Sequence, residues 1–403
     1  MSMLELERDL TAFLIRCGLE AGDEALMLDG FCARLVEAGM PLWRVAIGAK
    51  LLHPLLDARG CRWRRGEGCV KEDYAREEVS DVNDEWLSSP FYHLLHRLNA
   101  DHLRRRLDAG YRRSEFPLLD RFMDEGSTDY LAVAVDRGPR RQTSHVGGML
   151  CSFQVDRPGG FADDEIELLR RLALPLALAR QATTADETAV TLVTTYLGAD
   201  AGSRVLDGAI ARGTAESVRA VLWYSDLEGF TRIADTAPAD EMMALLNDYA
   251  ETVVGSIHAH GGQVLKFIGD GVLAMFPLVD GSAPCTRALN AAVEAADATL
   301  RLNERRAAAG QLTSGIHVAL HVGDVLYGNI GSPDRLDFTV IGPAVNEVAR
   351  IEALCRTLDQ QMIVSSSFAQ DAGPARLRLV SLGRYALKGV RRPEELFTLD
   401  AEA

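Results

Sequence analysis

Long apolar runs are missing from this sequence. No stretch approaches the roughly 20 uninterrupted apolar residues that a membrane-spanning helix needs. The first residues place acidic side chains ahead of a short apolar run and show no small-residue cleavage pattern, so they do not resemble a secretory signal. These absences predict a soluble cytoplasmic protein that has no membrane partner.

Closely spaced cysteine pairs are missing as well. The seven cysteines are scattered, with no CxxC pair and no metal-finger spacing. This pattern is typical of reduced, structural thiols in a cytosolic protein.

Basic charge is scarce. There are 43 Lys and Arg against 58 Asp and Glu, a formal net charge of -15. That balance argues against a general binder of nucleic acid or anionic membranes, although it allows a local basic site for a phosphorylated small molecule. The 403 residues exceed what one core usually holds, which predicts two domains or three short ones.

The N-terminal region alternates helix and strand signals. Apolar residues at helical spacing predict an amphipathic helix over 23–39 that stops at Gly39. Strand-like runs follow at 43–49 and around 129–136. We therefore expect an α/β unit here.

The end of this region contains a recognisable sequence motif. HVGGMLCSFQVDRPGGFADDEIELLRRLALPLALARQ predicts a strand, a Pro-Gly-Gly turn and a long helix capped by Asp163 or Asp164. The part RPGGFADDEIELLRRLA resembles the closing strand and helix of GAF sensor domains. The resemblance implies a GAF-like α/β sensor or dimerisation domain over 1–182 with an unknown small-molecule regulator; a plain α/β dimerisation domain is the alternative.

Two side-chain groups in this domain could bind a ligand. The histidines, expected on one helix, suggest a metal or haem site but fit a solvated polar face better: His93, His96 and His102. The tryptophans could line a pocket but more often fill a core: Trp43, Trp63 and Trp86.

Residues 183–213 predict a helical connector, broken near 198–202, that could couple two domains or merely space them. From Thr214 to the end, strands and helices alternate in what we take as a second domain, 214–403.

Two acidic residues of this second domain stand at strand ends. Asp226 lies at the end of a short apolar strand, AVLWYSD. Asp270 lies at the tip of a hairpin, GGQVLKFIGDGVLAMFP. Alone, the first would be a helix cap and the second a turn residue. Together they favour anchors for a pair of Mg²⁺ ions on a triphosphate.

A third polar element is DFTVIGPAVNEVAR, where a strand meets a helix that has Pro343 in its first turn. Asn346 and Arg350 are four residues apart and share a helix face. An amide and a guanidinium suit a ribose oxygen and a phosphoryl transition state, although a solvated polar face is the plain alternative.

The sequences of these elements resemble those of class III adenylyl and guanylyl cyclases. DLEGFT, KFIGD and GPAVNEVAR match that family's metal segment, hairpin and transition-state helix, and LKGV matches its closing segment. The resemblance extends from about Ala220 to Leu399. It implies an α+β, ferredoxin-like (palm-type) βαββαβ fold with helices on one face of an antiparallel-rich sheet. An apolar stripe predicts one core helix over 240–258, through Met242, Leu246, Tyr249, Val253 and Ile257.

The resemblance also implies a role for each matching residue. Two divalent ions, Mg²⁺ or Mn²⁺, would be held by Asp226, Asp270 and the carbonyl of Leu227. The phosphates would be cradled by amides of Gly229, Phe230 and Thr231 and contacted by Lys388. Lys266 would select the purine, Asn346 would orient the ribose, and Arg350 would stabilise the reacting phosphate.

The implied reaction converts ATP to 3′,5′-cyclic AMP and pyrophosphate. In this family the metal aspartates come from one catalytic domain, and the purine, ribose and transition-state residues come from its partner. Because this chain carries both sets, the resemblance implies a head-to-tail homodimer.

Substrate choice is expected to depend on Lys266 and Thr339. Guanylyl cyclases of the family typically have Glu and Cys there, so Lys266 favours adenine. Thr339 departs from the common adenylyl Asp and resembles a bicarbonate-responsive subgroup, which leaves guanylate or mixed specificity open. A catalytically silent nucleotide-binding module is the other alternative, although every expected position holds a competent residue.

Overall fold

A computed structural model describes residues 2–20, 22–76, 84–98, 100–135, 148–278, 283–390 and 392–400. The chain divides into two compact units, Met1–Leu192 and Val193–Ala403. Each unit is described separately.

The first unit combines helices with one antiparallel sheet. Its helices are α1 (Met3–Leu19), α2 (Glu24–Glu37), α3 (Asp84–Leu87), α4 (Pro90–His93), α5 (Pro117–Asp124) and α6 (Asp163–Leu197, which continues past the unit boundary), and a π-helix covers Leu94–Leu98. Its strands are β1 (Leu42–Lys50), β2 (Leu56–Arg64), β3 (Gly68–Ala75), β4 (His102–Arg106), β5 (Asp129–Val135) and β6 (Met149–Val155). Among the described residues the strand order is β3-β2-β1-β6-β5-β4.

Apolar residues cover both faces of this sheet. On one face α1, α2 and α6 enclose the larger core, which includes Leu28, Phe31 and Leu172. On the other face a smaller cluster forms around Phe122 and Tyr130. The first unit therefore has three layers, and its mixture of helices and strands agrees with the predicted α/β unit.

The predicted helix over 23–39 is confirmed with sharper ends. It begins at Glu24, because the Asp23 carboxylate accepts hydrogen bonds from the amides of Ala25 and Leu26, 2.7 and 3.3 Å away. It ends at Glu37, and Gly39 follows with a φ of +95°. A left-handed glycine just past a helix end is a common stop.

The predicted cap of the long closing helix is wrong. α6 begins at Asp163, so Asp163 and Asp164 both lie inside its first turn, where carboxylates favour the positive end of the helix dipole. Glu165 partly replaces the cap, because its Oε2 accepts a hydrogen bond from the amide of Ala162 at 2.7 Å.

The three histidines do not share a helix. His93 ends α4, His96 lies in the π-helix and His102 begins β4, where it contacts Asp101 at 2.8 Å. No group of three or more His, Cys, Asp or Glu suited to a metal is found among the residues that the structure describes. Of the tryptophans, Trp63 is buried in the larger core and donates its indole N–H to Asp29.

The second unit is built on a larger mixed sheet. Its helices are α7 (Ala199–Leu206), α8 (Phe230–Thr236), α9 (Ala239–Ala259), α10 (Pro284–Ala308), α11 (Pro343–Leu358) and α12 (Ser366–Asp371), and a 3₁₀ helix covers Gly373–Arg378. Its strands are β7 (Ala215–Leu227), β8 (Gln263–Ile268), β9 (Gly271–Pro277), β10 (Ile316–Ser332), β11 (Arg335–Ile341), β12 (Met362–Ser365), β13 (Leu379–Tyr385) and β14 (Glu394–Leu399).

The strand order is β13-β14-β12-β10-β7-β9-β8, and β11 pairs with β10. Pairings are antiparallel except that of β10 with β12. The segment β10-β7-β9-β8 has the order of the ferredoxin-like fold, with α9 and α10 as its connecting helices. This confirms the predicted α+β fold of the second unit.

The expectation of helices on one face is wrong. α9 and α10 pack on the face of β7 that presents Val221 and Trp223, whereas α11 packs on the opposite face with Leu222. Successive residues of β7 are apolar on both faces, so each face needs a cover.

The predicted stripe of α9 is largely confirmed. Tyr249, Val253 and Ile257 are buried, and Leu246 packs beside them. Leu245 is the most enclosed residue at the start of the stripe, whereas Met242 is only half-buried. In the described parts of the chain, no helix combines the length and apolar character needed to cross a membrane.

Candidate active site

The two strand-end carboxylates meet at one edge of the sheet. Asp226 is the penultimate residue of β7, and Asp270 follows Gly269 at the tip of the β8–β9 hairpin. The amide of Leu227 donates a hydrogen bond to Oδ2 of Asp270 at 3.3 Å. Gly269 has a φ of +65°, a conformation that glycine adopts without strain, so the turn holds Asp270 against the end of β7.

Burial and mutual repulsion destabilise the charged forms of this carboxylate pair. Burial, followed by the adjacent carboxyl of Asp270, raises the pKa of Asp226 to about 8. A bound divalent cation would remove that penalty, because oxygen ligands in a partly buried site prefer hard cations. The donor set therefore fits a Mg²⁺ or Mn²⁺ site.

A third acid faces the pair, and the sequence analysis missed it. Glu352 of α11 is 9% exposed, and burial together with the charge of Asp270 raises its pKa to about 7. Its Oε1 lies 3.9 Å from Nδ1 of His317, which is directly opposite Asp226 in the β7–β10 pairing. A signal for Glu352 does exist, since it is a charged residue within the buried stripe of α11.

The loop after β7 turns sharply into α8. Gly229 has a φ of +69° and directly precedes the helix. The first amides of a helix have no intrahelical acceptor, so those of Phe230 and Thr231 remain available to another acceptor. The predicted phosphate-binding segment thus follows Asp226 directly along the chain.

The predicted purine residues come together at a second place. Nζ of Lys266 on β8 lies 2.5 Å from Oδ2 of Asp337 on β11. Thr339 is two residues further along β11, which places it on the same face of the strand as Asp337. Thr339 is 7% exposed, and its Oγ1 has no hydrogen-bond partner in the structure. Asp337 was not among the predicted residues; the period of two from Thr339 could have indicated it.

A third group forms around α11. Pro343 lies in the first turn as predicted, Asn346 is exposed, and Arg350 lies one turn further on. The guanidinium of Arg350 packs against Gly389: a Cβ there would be 3.4 Å from Nη1. The predicted Lys388 is exposed on the same loop. Absence of a side chain at Gly389 therefore lets the loop approach Arg350.

No hydrogen bond or ion pair joins these groups among the described residues. None links the carboxylates of Asp226 and Asp270 to Arg350 or Lys388. Lys266 pairs with Asp337 and not with Asp226 or Asp270.

Comparisons with known proteins agree with the resemblance of the second unit to class III cyclases. A family model described as the adenylate and guanylate cyclase catalytic domain matches residues 214–401. An adenylate cyclase of Anabaena cylindrica is 31% identical over 163 residues, which is 40% of this chain and 32% of that protein. The chain spans about a third of the length of the curated relatives it matches.

Solved structures of cyclases also align with part of this chain. The adenylyl cyclase CyaB from P. aeruginosa is 22% identical with a TM-score of 0.42, over 46% of this chain and 96% of that one. A guanylyl cyclase, Cya2, is 27% identical with a TM-score of 0.41, over 46% and 95% of the two chains.

Proposed function

We propose that the chain is an adenylate cyclase that converts ATP to 3′,5′-cyclic AMP and pyrophosphate, because the family model of the adenylate and guanylate cyclase catalytic domain matches residues 214–401. The convergence of Asp226 and Asp270 carries the proposal. A catalytically silent module would have no need for two partly buried carboxylates that repel each other in the absence of cations.

The site would use two divalent ions, Mg²⁺ or Mn²⁺. Asp226, Asp270 and the Leu227 carbonyl would hold them, and the amides of Gly229, Phe230 and Thr231 would receive the terminal phosphates. When bound, the ions would supply Lewis-acid activation of the ribose 3′-hydroxyl and charge neutralisation of the departing pyrophosphate.

The preference for adenine follows from hydrogen-bond chemistry. A lysine ammonium only donates, and it suits N1 of adenine, which accepts, better than N1–H of guanine, which donates. The buried hydroxyl of Thr339 can accept from the adenine amino group and would thereby gain the partner that it lacks. Asp337 would hold Lys266 in place through their ion pair.

Guanylate or mixed specificity is the second candidate, because the Thr339 hydroxyl can also donate to the guanine carbonyl. Lys266 would then face a donor, so we expect GTP to be the poorer substrate. Bicarbonate activation is a separate prediction for a Thr-containing site, and a flat rate in a bicarbonate titration would remove it.

The separate groups of site residues support a homodimer as the active form. We propose that Asp226 and Asp270 of one protomer face Lys266, Thr339, Asn346 and Arg350 of the other, in two equivalent sites. Asn346 would orient the ribose. Arg350 and Lys388 would stabilise charge on the phosphates as it builds up.

We propose further that the N-terminal unit regulates turnover. Our division is a sensor domain over 1–182, a helical connector over 183–213 and a catalytic domain over 214–403. The continuity of α6, which runs from Asp163 to Leu197, supports a mechanical connection. A small-molecule regulator is part of this proposal.

The test is product formation by purified full-length protein with ATP or GTP and with Mg²⁺ or Mn²⁺. Asp270→Ala should abolish cyclic AMP formation. The matched control Asp297→Ala, on the exposed face of α10, should retain it. Absence of any cyclic product from the unmodified chain would favour the silent module, and equal rates with GTP would favour mixed specificity.

A further inference from the structure

Two cysteines of the first unit face each other across the β2–β3 hairpin. Cys61 is paired with Lys71 and Cys69 with Trp63, so the two thiols are diagonal neighbours on one face of the sheet. Their Sγ atoms are 2.7 Å apart, whereas a disulfide bond is roughly 2.0 Å long. No disulfide bond joins Cys61 and Cys69 in this structure.

The pair is accessible from one side only. Cys61 is 1% exposed and belongs to the larger core, together with Cys32 of α2. Cys69 packs at the border of that core and is only partly buried. An oxidant in solution would therefore reach Cys69 first, and Cys61 is already in place to react with it.

We propose that Cys61 and Cys69 form a reversible disulfide and make this hairpin an oxidation site of the N-terminal unit. With a peroxide as oxidant, Cys69 sulfur attacks one peroxide oxygen, the O–O bond breaks, and the Cys69 thiol proton passes to the leaving oxygen. With hydrogen peroxide this yields a sulfenic acid and water. Cys61 sulfur then attacks the sulfenic sulfur and the S–O bond breaks. The sulfenic hydroxyl takes the Cys61 thiol proton and leaves as a second water. Two electrons pass from the two thiols to the peroxide, and a dithiol reductant reverses the change.

The hairpin is connected to α6 by side chains close to the thiols. Arg59, two residues before Cys61, donates from Nη1 to Glu187 of α6 at 2.8 Å. Its carbonyl accepts a hydrogen bond from Nη2 of Arg180, also on α6, at 3.2 Å. Arg180 is itself buried in an ion pair with Glu24 of α2. A disulfide that restricts the hairpin would thus also restrict the contacts that hold this part of α6.

Trypsin makes the bond directly measurable. It cleaves after Arg59, Arg62, Arg65 and Lys71, so Cys61 and Cys69 fall in separate short peptides, GCR and GEGCVK. Full-length protein is reduced, desalted, treated with hydrogen peroxide, blocked with N-ethylmaleimide and digested without reductant. We expect a linked GCR–GEGCVK species, lighter than the two peptides together by two hydrogen atoms, which dithiothreitol removes.

Matched variants identify the partners. Cys61→Ser and Cys69→Ser should each abolish the linked species, and Cys151→Ser, a buried cysteine of β6, should leave it unchanged. Peptides that carry N-ethylmaleimide on both cysteines after oxidation would overturn the proposal. A link from either one to the peptide that contains Cys32 would do the same. The unmodified chain suffices for this reading, so a variant that fails to fold does not obscure it.

Hydrogen exchange tests the connection to α6. We expect oxidation to slow exchange of the hairpin amides and of the α6 amides between Arg180 and Glu187, and we expect Cys69→Ser to abolish both effects. Unchanged α6 exchange beside a formed disulfide would overturn the connection. Neither readout uses nucleotide turnover, so a failure here is distinguishable from a failure of the proposed cyclase activity.

Discussion

At the scale of single residues, the proposed purine subsite differs from ordinary core packing in one hydroxyl group that lacks a hydrogen-bond partner. Thr339 and Thr398 are both buried, but Oγ1 of Thr339 has no partner, whereas Oγ1 of Thr398 donates to the carbonyl of Met362 at 2.7 Å. Thr339→Val should therefore leave the free energy of unfolding unchanged or slightly higher. It should reduce the ratio of kcat/KM for ATP over GTP by up to about tenfold, the worth of one hydrogen bond. Steady-state kinetics with both nucleotides and urea unfolding measure the two quantities.

Thr398→Val is the matched control for that experiment. Loss of its hydrogen bond should lower the free energy of unfolding by about 1 kcal/mol and leave the ratio for ATP over GTP unchanged. Equal effects of the two substitutions on the nucleotide ratio would contradict the assignment of Thr339 to the purine.

We expect His321 to make the stability of the second unit sensitive to acid. It is 5% exposed, and burial lowers its pKa from 6.5 to about 4. Because the folded pKa is depressed, the neutral histidine contributes full stability above pH 6.5, and that contribution is lost as the pH falls toward 4. The loss should reach roughly 3 kcal/mol, so His321→Gln should flatten this part of the stability profile. Urea unfolding across that range measures it.

The exposed His258, near the end of α9, is the control for His321. His258→Gln should reproduce the unmodified pH dependence. A profile for His321→Gln that is as steep as the parent would show that other groups cause the acid sensitivity.

At the scale of secondary-structure elements, two glycines have opposite roles. Gly255 lies exposed inside α9, with open space where a Cβ would be, so Gly255→Ala should raise the free energy of unfolding by about 0.5–1 kcal/mol. Gly198 separates α6 from α7 with a φ of +85°, and a Cβ there would lie 2.8 Å from the carbonyl oxygen of Val264. Gly198→Ala should lower the free energy of unfolding by at least about 1 kcal/mol. Thermal and urea unfolding should show shifts of opposite sign; a stabilising Gly198→Ala would contradict the observed helix break.

The elements show how far the sequence alone could predict this site. Local signals were sufficient for the hairpin that carries Asp270 and for the proline-started helix of Arg350, because turn and cap chemistry acts over a few residues. The packing of α11 on the second sheet face, and with it Glu352 beside Asp226, depends on contacts between distant segments. Asp163 was misplaced for a smaller reason, since helix starts shift by a residue or two when several acidic residues compete for the cap.

At the scale of the whole molecule, the proposed dimer can be distinguished from a site contained within one chain by combining two inactive variants. In the proposed site, Asp270→Ala would disable the metal-binding set and leave the transition-state set intact, and Arg350→Ala would do the reverse. If each site takes one set from each protomer, a purified heterodimer of these two variants retains one intact site of two. It should turn over ATP at about half the rate of the unmodified dimer.

Placing both substitutions in the same chain gives the decisive comparison. The double variant paired with an unmodified chain also contains two damaged and two intact sets of residues. Each of its two sites now includes one damaged set, so this heterodimer should be inactive. Two-tag affinity purification isolates both heterodimers, and cyclic AMP formation is measured for each. A site contained within one protomer predicts the opposite order, with the double-variant pair at about half activity and the single-variant pair inactive. The two arrangements therefore cannot give the same result, whatever the absolute rate.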